Sequence, residues 1–215
     1  MSVPVISVRL MSGTVITRAR THRIGSMSRW EPNARGRLQQ AALELYFERG
    51  FEQTTVAEIA KRAGLTERTF FRYFADKREV LFWGSGALQE LLVNAVADAP
   101  VGTSPIGAVT AALEAAATVF SPERHEGSRQ RQSIISANAE LQERELIKAV
   151  SLISAMAEAL RLRGVAELTA RLAAEAGLAV FRVTFERWVA PANQRDFAEL
   201  VQESLTELKA VTATD

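Results

Sequence analysis

What most limits the fold of this chain is its punctuation. From Arg35 onward apolar residues recur at helical spacing, and the runs are closed by glycine or proline. Leu38, Ala42, Leu45 and Tyr46 share one helical face; Gly50 stands where a helix C′ glycine belongs, and Phe51 is placed to fold back on that end. Thr55-Val-Ala-Glu58 has the form of a capping box and opens a short helix carrying Val56, Ile59 and Ala60, which stops at Ala63-Gly64. Thr66 caps a third helix running to about Phe74, and Asp76 with Glu79 repeats the capping spacing to open a longer fourth helix reaching about Asp98. APVGTSP, residues Ala99–Pro105, is the clearest break. Beyond it the spacing predicts helices near 106–120, 128–137, 139–163 (closed by Gly164), 167–189 and 194–210, with Pro191 between the last two. No strand-like alternation persists. The expectation is an all-α chain of about nine helices.

Of 215 residues, 47% are apolar and 24% charged, which is globular composition and argues against wholesale disorder. There is no cysteine, so disulfides and thiolate metal sites are excluded, and His22 and His125 are the only imidazoles. No run reaches the roughly 18 consecutive apolar residues of a membrane span. Pro4 and Arg9 interrupt the apolar patches of the N-terminal region, which argues against a secretory signal and points to the cytoplasm. The net charge of +1 hides an asymmetry: residues 1–82 hold 14 Lys/Arg and 8 Asp/Glu, a net of +6, and residues 83–215 a net of −5. A basic first third on an acidic remainder points to a polyanionic partner for the first part alone. Residues 1–33, with Arg9, Arg18, Arg20, Arg23 and Arg29 opposed by Glu31, read as a flexible basic arm; alternatively Met27 is the natural start.

The stretch AGLTERTFFRYFADKREVLF, Ala63–Phe82, interleaves aromatic bulk with positive charge. Two short helices joined by Ala-Gly-Leu within a three-helix unit match helix-turn-helix geometry. On a helical wheel Phe70 and Phe74 fall within about 40° of each other, facing the core, and Arg68 and Arg72 project from the opposite side. Phe71 and Tyr73 sit on the edges between. The aromatics anchor a helix too short to stand alone. The cations suit the DNA major groove, where Arg makes a bidentate contact to guanine O6 and N7.

The run TTVAEIAKRAGLTERTFFRYFADKREVLF, Thr54–Phe82, resembles the N-terminal helix-turn-helix of the TetR family of bacterial transcriptional regulators, over about 45 residues from Arg37 to Phe82. Following the arm read at 1–33, the resemblance implies a DNA-binding domain at 34–80 and a helical effector-binding and dimerisation domain at 81–215. It implies phosphate contacts for Thr55 and Thr66 at helix starts and base reading by Arg68. Thr69, Arg72 and Tyr73 match positions that touch phosphates or base edges, Glu67 lies beside them on the same helix, and Lys77 matches a lysine that meets the DNA backbone. Phe71 departs from the pattern, since many relatives carry Tyr there; it packs either on the sugar-methyl surface or only within the protein.

In the second part, Leu178, Phe181, Phe185 and Trp188 form one helical stripe and Phe197, Leu200, Val201, Leu205 and Leu208 another. Two such stripes from each of two chains can close a four-helix bundle, making a homodimer; the alternative is that each serves its own chain's core. Trp83, Phe120, His125, Met156 and Phe181 are candidates to line a small-molecule site, with His125, beside Pro122 and Gly127, expected in a loop. Without GxSxG, a P-loop or HExxH, an enzyme is not expected, nor a cofactor or metal. The function expected is a ligand-responsive repressor that binds a palindromic double-stranded operator as a dimer, with no membrane partner. The alternatives are a non-specific architectural DNA-binding protein and a helical scaffold.

Overall fold

The computed structural model describes residues 33–213. The expected basic arm up to Pro32, Met27 and His22 lie outside the described residues. Ten helical segments run in order: α1 (Ala34–Arg49), α2 (Val56–Arg62), α3 (Glu67–Tyr73), α4 (Glu79–Phe82), α5 (Ser85–Asp98), α6 (Pro105–Ala116), α7 (Pro122–Ser136), α8 (Ala139–Leu162), α9 (Glu167–Trp188) and α10 (Phe197–Thr212). There is no strand among the described residues. Only Trp83 and Gly84 part α4 from α5, both in right-handed helical conformation, so counting the pair as one rod gives nine. The expected continuous fourth helix is thus interrupted where Gly84 and Gly86, poor helix formers, flank Ser85.

Local chemistry sets the helix ends. Thr55 and Glu58 complete a reciprocal capping box at the start of α2. At its end Gly64 takes φ +66°, its N–H donating to the Lys61 carbonyl and that of Leu65 to the Ala60 carbonyl, the six-to-one closure that favours glycine. Two boundaries fall elsewhere than expected. α6 ends at Ala116 in a tight turn, because Phe120 swings its ring onto Phe197, 4.4 Å between centroids. α7 then begins at Pro122, whose fixed φ suits the first helical position, so His125 stands on a helix and not in a loop.

Two hydrophobic cores form. The first gathers Leu38, Ala42, Leu45 and Tyr46 of α1, Phe51, Ile59, Phe70 and Phe74, and is completed by Val80, Leu81 and Phe82 of α4 together with Ile134, Ile135 and Leu141 of α7 and α8. The second joins α5, α6, α8, α9 and α10. Residues Glu79–Asp98 are apolar enough to cross a membrane, with mean hydropathy 1.3, but Val80, Leu81 and Phe82 are buried in the first core and Leu92 and Val96 in the second.

Small side chains let the second core close. Ala108, Ala112 and Ala116 of α6 meet a helix that presents Ala170, Ala173, Ala174 and Gly177. A Cβ on Gly177 would stand 2.3 Å from Val109 Cγ1 and 3.4 Å from Met156 Cε. Replacing glycine by alanine inside a helix ordinarily gains about 1 kcal/mol. Here Val109 is fully buried and β-branched, so it has no second rotamer to retreat into, and overpacking costs about 1–3 kcal/mol. Gly177→Ala is therefore expected to lower the stability by up to about 2 kcal/mol, read as a reduced urea midpoint with an unchanged slope.

Candidate nucleic-acid interface

α3 is seven residues long and cannot persist by itself. Phe70, fully buried, and Phe74, 4% exposed, pin it from behind, their rings 5.5 Å apart. On the free side Glu67, Arg68, Phe71 and Arg72 are exposed. Among the described residues Arg68 has no carboxylate partner. Arg72 leans on its neighbour, its guanidinium 4.9 Å from the Tyr73 ring and donating to the Tyr73 hydroxyl at 3.2 Å. Phe71 keeps 55% of its surface exposed, touching Phe70 only edge-on, so it is not merely internal packing.

The hydroxyls sort differently from one another. Thr66 accepts the Thr69 N–H at 3.2 Å, and the two hydroxyls lie 3.0 Å apart. One hydrogen is used between them, so one remains to point outward whichever donates. Thr55 is fully committed: its hydroxyl donates to Glu58 Oε2 at 2.9 Å and accepts the Glu58 N–H at 3.3 Å, with Arg49 on the same carboxylate at 2.7 Å. The carboxylate beside it would also repel a phosphate. In this structure Thr55 acts as the cap of α2.

Lys77 is engaged within the protein. Its Nζ donates to the carbonyls of Phe51 at 2.9 Å, Thr54 at 3.1 Å and Glu52 at 3.3 Å, and lies 4.2 Å from the Phe51 ring. In this structure all three ammonium hydrogens are donated inside the protein, and this lysine ties the α1–α2 loop to the approach of α4. The stitch is mutual. Tyr46 donates its hydroxyl to the Lys77 carbonyl at 2.7 Å, and burial, with the charge of Asp76, pushes that phenol far above its usual range. Other cations of this unit are also paired: Arg49 to Glu58, and Arg62 to Glu44 and Glu48. The basic excess counted in the sequence therefore overstates the charge left for an outside partner.

α4 is tied to the helical part by ions. Arg78 bridges Asp76 at 2.6 Å and Glu140 at 2.8 Å, and its hydrogen bonds hold the Asp76 carboxyl below the usual carboxylate range. Glu79 receives Arg144 at 2.6 Å and Lys148 at 3.3 Å. Partial burial pushes its pKa up, but the hydrogen bond from Arg144 and the charge of Lys148 outweigh this and leave it lowered. Arg131, its ionisation weakened by desolvation, donates to the Leu81 carbonyl at 2.6 Å and lies over the Phe82 ring.

The five effector-site candidates do not assemble. Phe120, His125 and Phe181 converge with Phe185, Trp188 and Phe197 into one ring-on-ring cluster, in which His125 Nε2 meets the Trp188 carbonyl at 2.8 Å. Met156 is buried elsewhere, against α9. Trp83 stands apart at the α4–α5 joint, half-exposed beneath the Arg35 guanidinium. Two surface hollows, of about 400 and 310 Å³, are lined by none of these five. The expected dimer stripes also turn inward: Trp188, Phe197, Leu200, Val201 and Leu205 are at most 3% exposed within a single chain, and Leu178, Phe185 and Leu208 pack against them. They form the chain's own core. The residue that sequence reasoning missed is Arg35, and the signal was there: α1 opens Ala-Arg-Gly-Arg with no acid in its first turn, against the helix dipole.

Comparison with known proteins places this geometry. Residues 38–82 match the family described as bacterial regulatory proteins, tetR family, and residues 103–213, more than half of the chain, match the MftR C-terminal domain. The HTH-type transcriptional regulator TcmR of Streptomyces glaucescens is 36% identical over 102 residues, 47% of this chain and 45% of its own. The chain thus spans less than half the length of the curated relatives it matches. Among solved structures, SmeT, the repressor of the Stenotrophomonas maltophilia multidrug efflux pump SmeDEF, aligns in its triclosan complex with a TM-score of 0.59 at 21% identity, covering 85% of this chain and 92% of that one. FadR from Bacillus subtilis, bound to stearoyl-CoA, aligns with a TM-score of 0.58 at 20% identity, covering 80% and 96%. At these identities the likeness is one of fold.

With Lys77 as an internal clamp, Lys77→Met is expected to lower stability by about 1–3 kcal/mol, since three carbonyls lose a charged donor. Urea unfolding reads the loss; binding to non-specific DNA at a temperature where the variant is fully folded should be unchanged.

Proposed function

The chain belongs to the TetR family of bacterial regulatory proteins, and from that premise we propose that it is a sequence-specific, cytoplasmic DNA-binding regulator, a ligand-responsive repressor that binds a palindromic operator as a dimer. The observation that carries the reading is the exposed, carboxylate-free guanidinium of Arg68 on a helix fixed from behind by two buried phenylalanines. A guanidinium so held can reach guanine O6 and N7 without ordering a flexible support first. Arg72, Tyr73, Phe71, Glu67 and the Thr66–Thr69 hydroxyl pair complete the proposed face, the hydroxyls on phosphates and Glu67 able to accept from a cytosine amino group. Thr55 and Lys77 support this face from within.

The proposed dimer surface lies outside the stripes expected from sequence. On α9, Leu168, Leu172, Ala179 and Val183 recur at one helical face and are exposed, Leu172 by 60% and Val183 by 50%. Apolar side chains repeated along one exposed face favour burial against a second copy. A twofold axis through such a face sets two recognition helices against half-sites roughly 34 Å or a multiple apart. An effector that prefers another setting of α4 against α8 lowers operator affinity by its differential affinity for the two states. The ion pairs of Arg78 and Glu79 are the contacts it has to rearrange.

Selection from a random DNA pool is expected to enrich a palindrome; enrichment of no sequence, with steeply salt-dependent binding to any duplex, would favour the architectural alternative. Arg68→Ala should cost about 1–3 kcal/mol at the selected site and relax base preference at one position per half-site. In sedimentation, the double variant Leu172→Glu/Val183→Glu should run as a folded monomer and lose the palindrome, because like charges across the axis oppose association.

A further inference from the structure

We infer that Arg35 is a positioning residue for the DNA-reading face, holding Tyr73 and through it Arg72 by a stack that runs from the α4–α5 joint to the recognition helix. The inference rests on the DNA-binding reading above. Its guanidinium lies 5.3 Å from the Tyr73 ring and 5.2 Å from the Trp83 ring. Tyr73 in turn carries Arg72, at 4.9 Å from its ring and bonded to its hydroxyl. The order Trp83, Arg35, Tyr73, Arg72 thus joins three separate elements: the first turn of α1, the last turn of α3 and the end of α4.

A cation in the first turn of a helix opposes the local dipole. Such a placement is stable when the charge has a better partner, and two aromatic faces supply one here. Tyr73 needs a hold of this kind: it closes α3, immediately before Phe74 leaves helical backbone at φ −135°. Tyr73 also packs its inner side against the first core, so without Arg35 its outer side keeps only the exposed Arg72, and the Arg72 guanidinium leans on a less constrained ring. Because the other side of Arg35 rests on Trp83, where α4 gives way to α5, a change in that joint alters the same stack. This couples α4 to the reading face by a route separate from the ion pairs on α8.

The test uses full-length protein, the selected operator and a non-specific duplex. Arg35→Met is expected to weaken operator binding about two- to five-fold, the loss of an exposed cation–ring contact, and to leave the non-specific duplex and the salt slope unchanged. Trp83→Leu, which removes a ring and no charge, should do the same. The double variant should be no worse than the worse single, and Arg35→Lys, which keeps the charge but not the planar group that lies on both rings, should fall between wild type and Arg35→Met. In protein labelled with 5-fluorotryptophan and free of DNA, Arg35→Met should shift the fluorine resonance that disappears in Trp83→Leu.

A loss shared equally by both duplexes, with a salt slope reduced by about one, would make Arg35 a phosphate ligand and overturn the inference. Unchanged operator affinity, additive effects in the double variant, or an unmoved Trp83 resonance would also overturn it. If the wild-type protein selects no site, the regulator reading falls and this inference with it; if it selects one and the Arg35 variants bind normally, this inference alone falls.

Discussion

The exposed face of α3 exists because two phenyl rings are buried behind it. α3 spans barely two turns, and a helix of that length costs more to nucleate than its own hydrogen bonds return. Burial of Phe70 and Phe74, each contributing on the order of 1.5–3 kcal/mol, makes the difference. The rest of the unit prepares the surface those rings occupy. α1 supplies Leu38, Leu45 and Tyr46, α2 supplies Ile59, and the glycine turn at Gly64 sets the angle between α2 and α3. Arg68 then stands on the outside as a consequence of what is inside.

Charge in this unit is divided between holding and offering. Lys77, Arg49, Arg62 and Arg78 are bound to carbonyls or carboxylates of the chain itself. Arg68 and Arg72 remain on the surface. The same residue type serves both ends, and what decides is whether the backbone brings an acceptor within reach. Lys77 has three, because the loop after Gly50 turns its carbonyls towards the approach to α4.

Helix ends were the most legible part of the sequence, because caps are chemistry between neighbours. The Thr55–Glu58 box and the Gly64 turn can each be read from a few residues, as can the inward pair Phe70 and Phe74. Boundaries decided at a distance were not legible. Nothing near Ala116 stops a helix; the turn there is set by Phe120 reaching Phe197. The apolar stripes of α9 and α10 were legible as stripes, but periodicity says only that a face is covered, not whether by this chain or another. Side-chain allocation was hardest: nothing in the order of residues says that Lys77 and Thr55 would be used up internally while Arg35 would find two rings.

The first core has a consequence for how the molecule can be divided. Its roof is made of Ile134, Ile135 and Leu141, aliphatic side chains from far along the chain that close over α1 and α4. A fragment ending after residue 82 would leave Leu38, Tyr46 and Phe82 open to water on that side and would have to survive on what remained. The helix-turn-helix unit and the helices beyond it are thus fused by shared oil, and heating should dissolve the two together rather than release one while the other holds.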